Sequence, residues 1–378
     1  MELIDRVKKI LEKYEICNEC LGRQFHDILP RIKNREKGKI LRTYAIINSI
    51  YKKEEIKIKK TENCYLCGNI FNKIDFYIEE VKKKLKNYEY KTFLIGSKIP
   101  PELISREEEF WEENGVDFCE AIKSSFNREV GYNLKRMTKK QITFENPDIM
   151  AIVDIEKNKV DLQISPLYIK GGYKKNTAKG KVQKIIENLL MKKTGASESI
   201  FYSVGRLERN VKTNCYRPFV IMLRNPKKRR IGLKKTRREI NKMKSLSVST
   251  LSYSNRESIE KMKMEKITAS YLVTLKFDNN LKKEEIKRIR KKLLGLKNKR
   301  ILQYLKKKIR KPYIRRLKVK ISGKNLTLDI ESTVGFSINS FLVGKSKPNL
   351  KKLIEKDFKI KEIVLKKYRK MKTHEMYS

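Results

Sequence analysis

Apolar residues recur along this chain at spacings that predict both helices and strands. In the first dozen residues, for example, Ile4, Val7 and Leu11 lie on one face of a helix. The helical patterns cover residues 3–14, 78–90, 102–113, 181–193 and 282–309. Short apolar or alternating runs predict strands at residues 150–153, 162–169, 219–223, 271–277, 317–321, 326–330 and 360–365. Because these elements mix without regular βαβ alternation, the pattern favours an α+β fold over a doubly wound sheet.

Charge is the property in which this sequence departs furthest from an ordinary globular chain. Its 378 residues include 92 Lys and Arg against 44 Asp and Glu, a formal net charge of +48. Such an excess repels itself unless a polyanion shares the surface, so nucleic acid is the expected partner. A lysine-rich proteome is the plainer alternative. An anionic membrane surface fits less well, because basic residues run through the whole chain.

Composition and length indicate an ordinary folded, intracellular protein. Hydrophobic residues make up 39% of the chain, enough for a core, and the length suits two or three domains. No apolar run approaches the roughly 20 residues that span a bilayer, and the N-terminus lacks the plan of a signal peptide. We therefore expect a soluble cytoplasmic protein with no membrane partner.

Four cysteines form two CxxC pairs, Cys17 with Cys20 and Cys64 with Cys67. Each CxxC turn aims two sulfurs at one point, so two such pairs supply the ligands of a closed tetrahedral zinc site. Chance pairs or a redox dithiol are the alternatives, and zinc is favoured over both. Four protein ligands leave no open position, so we expect a structural zinc ion without a catalytic role.

The residues from Arg206 to Arg230 form a basic stretch around an apolar run. Its end, Lys227 to Arg230, has the composition of a solvated loop. Beside a strand end and Gly205, the stretch also suits a groove that binds phosphates. The sequence leaves these two interpretations about equal.

Histidine catalysis finds no support in the sequence, which holds only His26 and His374. No histidine-based acid–base pair, triad or HExxH site can be assembled from them. The sequence also lacks a GxxxxGK[ST] loop and a convincing dinucleotide fingerprint. An enzyme with this sequence would therefore use a carboxylate and no nucleotide cofactor.

Several segments, read in order, resemble the tRNA pseudouridine synthases of archaea and eukaryotes that carry a zinc-and-THUMP N-terminal half. The matching segments are CNECLGRQF at 17–25, FLIGSKIPPE at 93–102, AIKSSFNREV at 121–130, NPD at 146–148 and SPLYI at 165–169. Gly205-Arg206 and Arg217-Pro218-Phe219 are similar to the two ends of the family's catalytic motif, GREDxDVRxLGxGRPF. The likeness covers nearly the whole chain, and several motifs in the right order are more specific than any one of them.

The resemblance implies isomerisation of uridine to pseudouridine at positions 54 and 55, in the TΨC loop of tRNA, without a catalytic cofactor. In the family an aspartate attacks a flipped nucleotide, a tyrosine packs on the target base, and a basic residue pairs with the carboxylate. By resemblance, Tyr271 is the tyrosine, and a second family tyrosine falls on Phe336 or Ser337. We expect Arg206, Lys212 and Arg217 to face the RNA backbone.

The catalytic motif departs from the family pattern at its most important position. Alignment on GREDxDVR puts Asn210 at the position of the nucleophilic aspartate, with Glu208 two residues away as a substitute carboxylate. An amide is a far poorer nucleophile than a carboxylate. The motif is also one residue short before Arg217, and the family's later YxKE…SGDxGRTxPS element is reduced to residues 336–344, followed by residues 345–348.

Three hypotheses follow from this departure. The chain retains pseudouridylation through a rearranged site, it has lost catalysis and acts as a tRNA-binding or RNA-folding protein, or the local register is different. A zinc-containing ribosome-binding or chromatin-binding protein is a further alternative from another class.

The expected organisation has three parts. Residues 1–75 would form a zinc-binding segment, and residues 76–185 a THUMP-like RNA-binding domain. Residues 186–378 would form a mixed-sheet catalytic domain with Asn210 and Tyr271 in its central cleft.

Overall fold

The chain folds into two compact units, Met1–Ser165 and Pro166–Ser378. The computed structural model describes residues 3–28, 31–177, 182–205, 208, 210–265, 267–305 and 308–371. One hydrophobic core runs through the first unit, and two lie in the second. Within the described ranges, no helix is long and apolar enough to cross a membrane.

The first unit combines six helices with a four-stranded sheet in the residues that are described. Its helices are α1 (Leu3–Lys13), α2 (Asn18–Arg23), α3 (Asn34–Lys52), α4 (Ile74–Leu85), α5 (Pro101–Asn114) and α6 (Ile122–Thr138). Its strands are β1 (Thr92–Lys98), β2 (Gln141–Ile142), β3 (Ile149–Asp154) and β4 (Lys159–Ile164). The strand order is β2-β1-β3-β4, with β1 parallel to both neighbours and β3 antiparallel to β4. Alternate residues of β1, such as Phe93 and Ile95, are buried, as expected for a sheet with one face on a core.

Two glycines allow α2 and α3 to cross with their backbones in contact. A Cβ atom on Gly22 would lie 1.8 Å from the carbonyl oxygen of Asn34, and one on Gly38 would lie 1.8 Å from that of Asn18. No side chain fits at either position without separating the helices. This contact fixes the orientation of α2, which carries Cys20.

The second unit contains mostly antiparallel sheets. Its strands are β5 (Leu167–Lys175), β6 (Glu198–Ser203), β7 (Lys212–Thr213), β8 (Arg217–Arg224), β9 (Leu246–Val248), β10 (Ser252–Ser254), β11 (Ile267–Lys276), β12 (Lys299–Arg300), β13 (Leu302–Leu305), β14 (Lys308–Arg310), β15 (Tyr313–Ser322), β16 (Asn325–Thr333), β17 (Ser346–Lys347) and β18 (Lys359–Lys370). Its helices are α7 (Val182–Thr194), α8 (Leu233–Asn241), α9 (Glu257–Met264), α10 (Lys283–Leu294), α11 (Ile338–Val343) and α12 (Leu350–Ile354).

These strands form three sheets. The first has the order β10-β5-β8-β6, with β9 also paired to β5, and packs against α7 and α8. The second has the order β12-β15-β16-β11-β18-β7, and its core includes residues of α10, α11 and α12. A small third sheet has the order β14-β13-β17. The α+β expectation is confirmed.

Two of the predicted elements differ from the structure. The helix expected over 282–309 ends at Leu294, and β12, β13 and β14 follow. Gly295 and the left-handed Asn298, with φ of 60°, end the helix although the basic composition continues. The strand expected over 162–169 is divided into β4 and β5, which belong to different units.

The division between the units falls earlier than the expected 185/186 boundary. It lies at Ser165 and Pro166, because β5 pairs along its length with β8 of the second unit. The first unit is also not divided near residue 75. Its core runs without a break from Ile4 to Val160.

Candidate functional site

The cysteines Cys17, Cys20, Cys64 and Cys67 converge in the first unit. All four Sγ atoms lie within 4.8 Å of one another, and three of the four residues are buried. The Sγ atoms of Cys17 and Cys67 are 3.8 Å apart. A tetrahedral zinc ion with Zn–S bonds of about 2.3 Å requires sulfurs about 3.8 Å apart, so the spacing fits zinc.

Backbone amides support the cluster. The N–H of Cys17 donates to Sγ of Cys64 at 3.3 Å, and the N–H of Cys20 donates to Sγ of Cys17 at 3.4 Å. The turn that carries Cys64 is closed by the side chain of Asn69, whose oxygen accepts from the N–H of Cys64 at 3.2 Å. Donors aimed at the sulfurs favour thiolates, the form in which cysteine binds a metal.

Arg23 connects the cysteine cluster to two helices of the first unit. Its Nε donates to Sγ of Cys20 at 3.5 Å, and its Nη1 pairs with the carboxylate of Glu107 in α5. That carboxylate also accepts from the backbone N–H of Ile122, the first residue of α6, at 3.1 Å. Arg23 is fully buried, so removal of Glu107 would leave a buried charge without its partner.

Asn210, at the expected nucleophile position, is paired with an amide that the sequence analysis did not select. Its Nδ2 donates to Oδ1 of Asn339 at 2.8 Å, and Nδ2 of Asn339 donates back to Oδ1 of Asn210 at 2.6 Å. An aspartate at 210 would keep one of these bonds and place two acceptor oxygens opposite each other. The local structure therefore suits an amide at this position.

Asn339 could have been found from the family motif. With Phe336 on the tyrosine of YxKE, Asn339 falls on the glutamate of that motif. In this register amides stand at both positions, and the correspondence stays a prediction. The side chains of Asn210 and Asn339, which are 129 residues apart in sequence, contact each other.

Glu208 is the nearby carboxylate. Its Oε2 accepts from the backbone N–H of Asn339, near the start of α11, at 3.1 Å. The side chain is thereby held beside the amide pair.

Tyr271 and Phe336 form an aromatic wall in the second unit. Their ring centroids are 6.2 Å apart, and the ring of Phe336 also packs on Phe341 at 5.5 Å. Burial raises the pKa of Tyr271 above the ordinary phenol range, against the opposing charge of Arg217. Its hydroxyl stays protonated at neutral pH.

Arg217 does not face solvent, contrary to our expectation of an RNA-facing side chain. It is 1% exposed, and its guanidinium donates to the hydroxyls of Tyr173 and Tyr368 and to the carbonyl oxygens of Val204 and Gly205. A guanidinium engaged in this way inside the core cannot bind a phosphate on the surface. Its contacts instead hold the backbone at Val204 and Gly205.

The two tyrosines around Arg217 were not predicted from the sequence. The guanidinium carbon lies 5.3 Å from the ring centroid of Tyr173 and 5.7 Å from that of Tyr368. Burial raises the pKa of Tyr368 to about 12, against the opposing effect of Arg217. The Tyr368 hydroxyl therefore remains a neutral partner of the cation at neutral pH.

Of the other basic residues selected, Lys212 is half-exposed and pairs with Glu362 at 2.7 Å. Arg206 lies outside the described residues, and so does His374 in the C-terminal segment.

The first unit also has a strongly basic cleft of about 660 Å³. Its basic lining residues are Arg31, Lys33, Arg128, Lys135, Arg136, Lys139 and Lys140. Glu129 is the acidic side chain in the lining, and Tyr132, 53% exposed, adds an aromatic ring. Basic and aromatic groups of this kind suit a nucleic-acid backbone with accessible bases.

Comparisons with known proteins agree on one family. A model described as the archaeal Pus10 THUMP domain matches residues 77–154, and one described as the Pus10 C-terminal region matches residues 156–367. The tRNA pseudouridine synthase Pus10 of Pyrococcus furiosus is 29% identical and aligns over 94% of this chain and 95% of its own length. That of Methanopyrus kandleri is 26% identical over 93% of this chain and 95% of its own length. The Pus10 of Thermofilum pendens is 27% identical and aligns over 90% of this chain and 89% of its own length.

Likeness to solved structures is slight. A Cbf5-Nop10-Gar1 complex matches with a TM-score of 0.31 and 10% identity, over 52% of this chain and 48% of that chain. A likeness of this size carries no functional argument.

Proposed function

Because the chain belongs to the Pus10 family of tRNA pseudouridine synthases, we propose that it isomerises uridine to pseudouridine at positions 54 and 55 of the TΨC loop. In this reaction the N1–C1′ bond of the nucleotide breaks and a C5–C1′ bond forms. The proton lost from C5 is balanced by one gained at N1. Since no group leaves and no electrons are exchanged with a partner, the reaction itself requires no cofactor.

The observation that carries this proposal is the position of Glu208. The reaction needs a nucleophile that attacks the flipped nucleotide and later leaves. Asn210 supplies only an amide, whereas the carboxylate of Glu208 accepts from the N–H of Asn339, whose side chain pairs with Asn210. We infer that Glu208 is the catalytic carboxylate and that the Tyr271–Phe336 wall packs on the flipped base.

We propose that the first unit binds the tRNA by shape and phosphates. Support comes from the THUMP match and from the basic cleft of that unit. Tyr271 and Phe336 are buried, so a flipped base of the TΨC loop would have to enter the second unit to reach the aromatic wall. Lys212 remains a candidate contact to the RNA backbone, and so does Arg206.

We also propose that the cysteine cluster holds a structural zinc ion. Four sulfurs at tetrahedral spacing complete the coordination of the metal and leave no position for a water or substrate. The role of the zinc is therefore to stabilise the first unit.

A second candidate function is favoured by the Asn210–Asn339 pair. If the two amides close the nucleophile position, the chain binds tRNA and assists its folding without modifying it. The reciprocal hydrogen bonds at 2.6 and 2.8 Å support this alternative.

Pseudouridine formation on an unmodified tRNA transcript tests the proposal. Carbodiimide labelling and primer extension would follow wild type, Glu208→Gln and Asn210→Asp, with Glu284→Gln as an exposed-carboxylate control. We expect modification by the wild type and the control, and a loss on the order of 1000-fold or more in Glu208→Gln.

Two results would contradict this assignment. Full activity of Glu208→Gln would show that Glu208 is not the nucleophile. Activity in Asn210→Asp but not in the wild type, with tRNA binding equal in both, would establish the second candidate function.

A further inference from the structure

One strongly basic segment of the second unit packs on a different hydrophobic core from Tyr271 and Phe336. Residues 227–244 contain ten Lys or Arg and a single acidic residue, Glu239. We refer to this segment, which includes α8 and the loop before it, as the basic platform. A run of this kind is often a solvated face, so the argument depends on how the segment is held.

The loop of the basic platform is fixed by backbone hydrogen bonds. The N–H groups of Lys227 and Lys228 both donate to the carbonyl oxygen of Thr194, at 2.9 and 2.8 Å. The hydroxyl of Tyr253 accepts from the N–H of Ile231 at 2.8 Å and lies 3.0 Å from its carbonyl oxygen, to which it can donate. The basic side chains are therefore presented from a loop anchored at both ends.

Helix α8 is attached to the core by one face and exposes a basic one. Thr236 and Ile240 are buried, and the hydroxyl of Thr236 donates to the carbonyl oxygen of Gly232 at 3.0 Å. Lys234 and Arg238, one helical turn apart, lie on the exposed side. Glu239 pairs with Lys193 of α7 at 2.8 Å, so it is directed toward α7.

We propose that the basic platform binds the phosphate backbone of tRNA and supplies part of the affinity of the second unit. This inference rests on the proposed function and adds to it a location for backbone contacts. Lysine and arginine on a rigid surface bind phosphates by releasing counterions, without reading the sequence. A membrane is the less suitable partner, because α8 turns its apolar Ile240 into the core and not outward.

Charge neutralisation on the platform tests this inference. The platform variant carries Lys227→Gln, Lys228→Gln, Lys234→Gln and Arg238→Gln, all at exposed positions. The control variant removes the same charge from the exposed side of α10, through Lys283→Gln, Lys287→Gln, Arg290→Gln and Lys291→Gln. Glutamine has a helix propensity close to that of lysine and arginine, so both helices should be kept. Circular dichroism and melting of each variant would verify this.

Binding of the full chain to an unmodified tRNA transcript is measured between 50 and 200 mM salt. Each phosphate contact contributes about 0.7–0.9 to the slope of log K against log salt. For the platform variant we expect a slope shallower by about 2–3 and an affinity at least about tenfold lower near 100 mM salt. The control should stay close to wild type.

The outcomes separate this inference from the proposed function. Equal slopes of log K against log salt for the platform and control variants would overturn the proposal that the basic platform binds tRNA. Binding of tRNA by the wild type would still support the proposed function. Weak wild-type binding without preference for tRNA would overturn both. Retained tRNA binding, with loss of binding to phosphatidylserine vesicles in the platform variant, would assign the surface to a membrane.

Discussion

The cysteine cluster of the first unit and the amide pair of the second differ in how well their residue types suit a chemical role. Four thiols converge to within 4.8 Å, a spacing that suits a metal. At the position where we expect a nucleophile, two side chains meet across 129 residues of sequence, but both are amides. The cysteine cluster thus combines suitable residue types with suitable geometry, whereas the amide pair brings two side chains together without a carboxylate.

The difference follows from what each group contributes to folding. The cysteines are mostly buried and organise α2 and the turn before α4, so loss of a ligand disturbs the first unit. Asn210 is exposed and Asn339 is half-buried. A hydrogen bond between such groups contributes only about 0.5–1.5 kcal/mol. Folding therefore places little constraint on whether the side chain at position 210 is an amide or a carboxylate.

The largest expected effect comes from removing a metal ligand. Cys64→Ser should abolish stoichiometric zinc and destabilise the first unit by several kcal/mol, because structural zinc in small domains contributes about 10–16 kcal/mol of apparent binding free energy. Metal analysis and thermal melting of the full chain would measure both quantities. Cys119→Ser, a thiol outside the cluster, should keep the metal. If the wild type contains no zinc and melts like Cys64→Ser, the cysteine cluster does not hold a stabilising metal.

An intermediate effect is expected at Arg217. Arg217→Met should lower the free energy of unfolding by about 2–4 kcal/mol, because it leaves buried carbonyl and hydroxyl groups without their donor. Denaturant unfolding monitored on the second unit is the measurement. Lys212→Met, which breaks a half-exposed ion pair, should cost less than about 1 kcal/mol. Equal effects of the two substitutions would show that Arg217 is not held as described.

The smallest effect concerns the amide pair itself. A double-mutant cycle of Asn210→Ala and Asn339→Ala should give a coupling energy of about 0.5–1.5 kcal/mol in unfolding. Strict additivity would mean that the two side chains do not interact. In that case the amide pair would differ from the cysteine cluster only in its residue types, and not in a contact between its side chains.

Local patterns predicted much of the fold. Apolar periodicity identified α1, α5 and α7 and the strands β8, β11, β15 and β16, because these elements bury one face or one apolar run. The cysteine cluster was also predictable from local patterns, because the spacing of each CxxC motif brings its two sulfurs together within one turn. The helix expected over 282–309 was wrong beyond Leu294, because basic composition extends past the glycine that ends it.

The environment of Arg217 was not predictable from the sequence. Its partners Tyr173 and Tyr368 lie 44 and 151 residues away, and each belongs to a different strand. An arginine in a basic stretch resembles a surface residue until tertiary structure surrounds it. The contact of Asn210 with Asn339 is of the same kind, although the family motif contained a signal for it. The roles assigned to Glu208, Tyr271 and Phe336 stay predictions.

The separation of the two CxxC turns along the chain has a consequence for synthesis. Cys17 and Cys67 are 50 residues apart, and α3 lies between them. At about 5–20 residues per second, the ribosome completes the second turn about 3–10 s after the first. For that interval Cys17 and Cys20 have been synthesised without the second pair, so only half of the proposed zinc site exists. The glycine contact between α2 and α3 can form before Cys64 emerges, and it would hold the first pair of sulfurs in place until the second arrives.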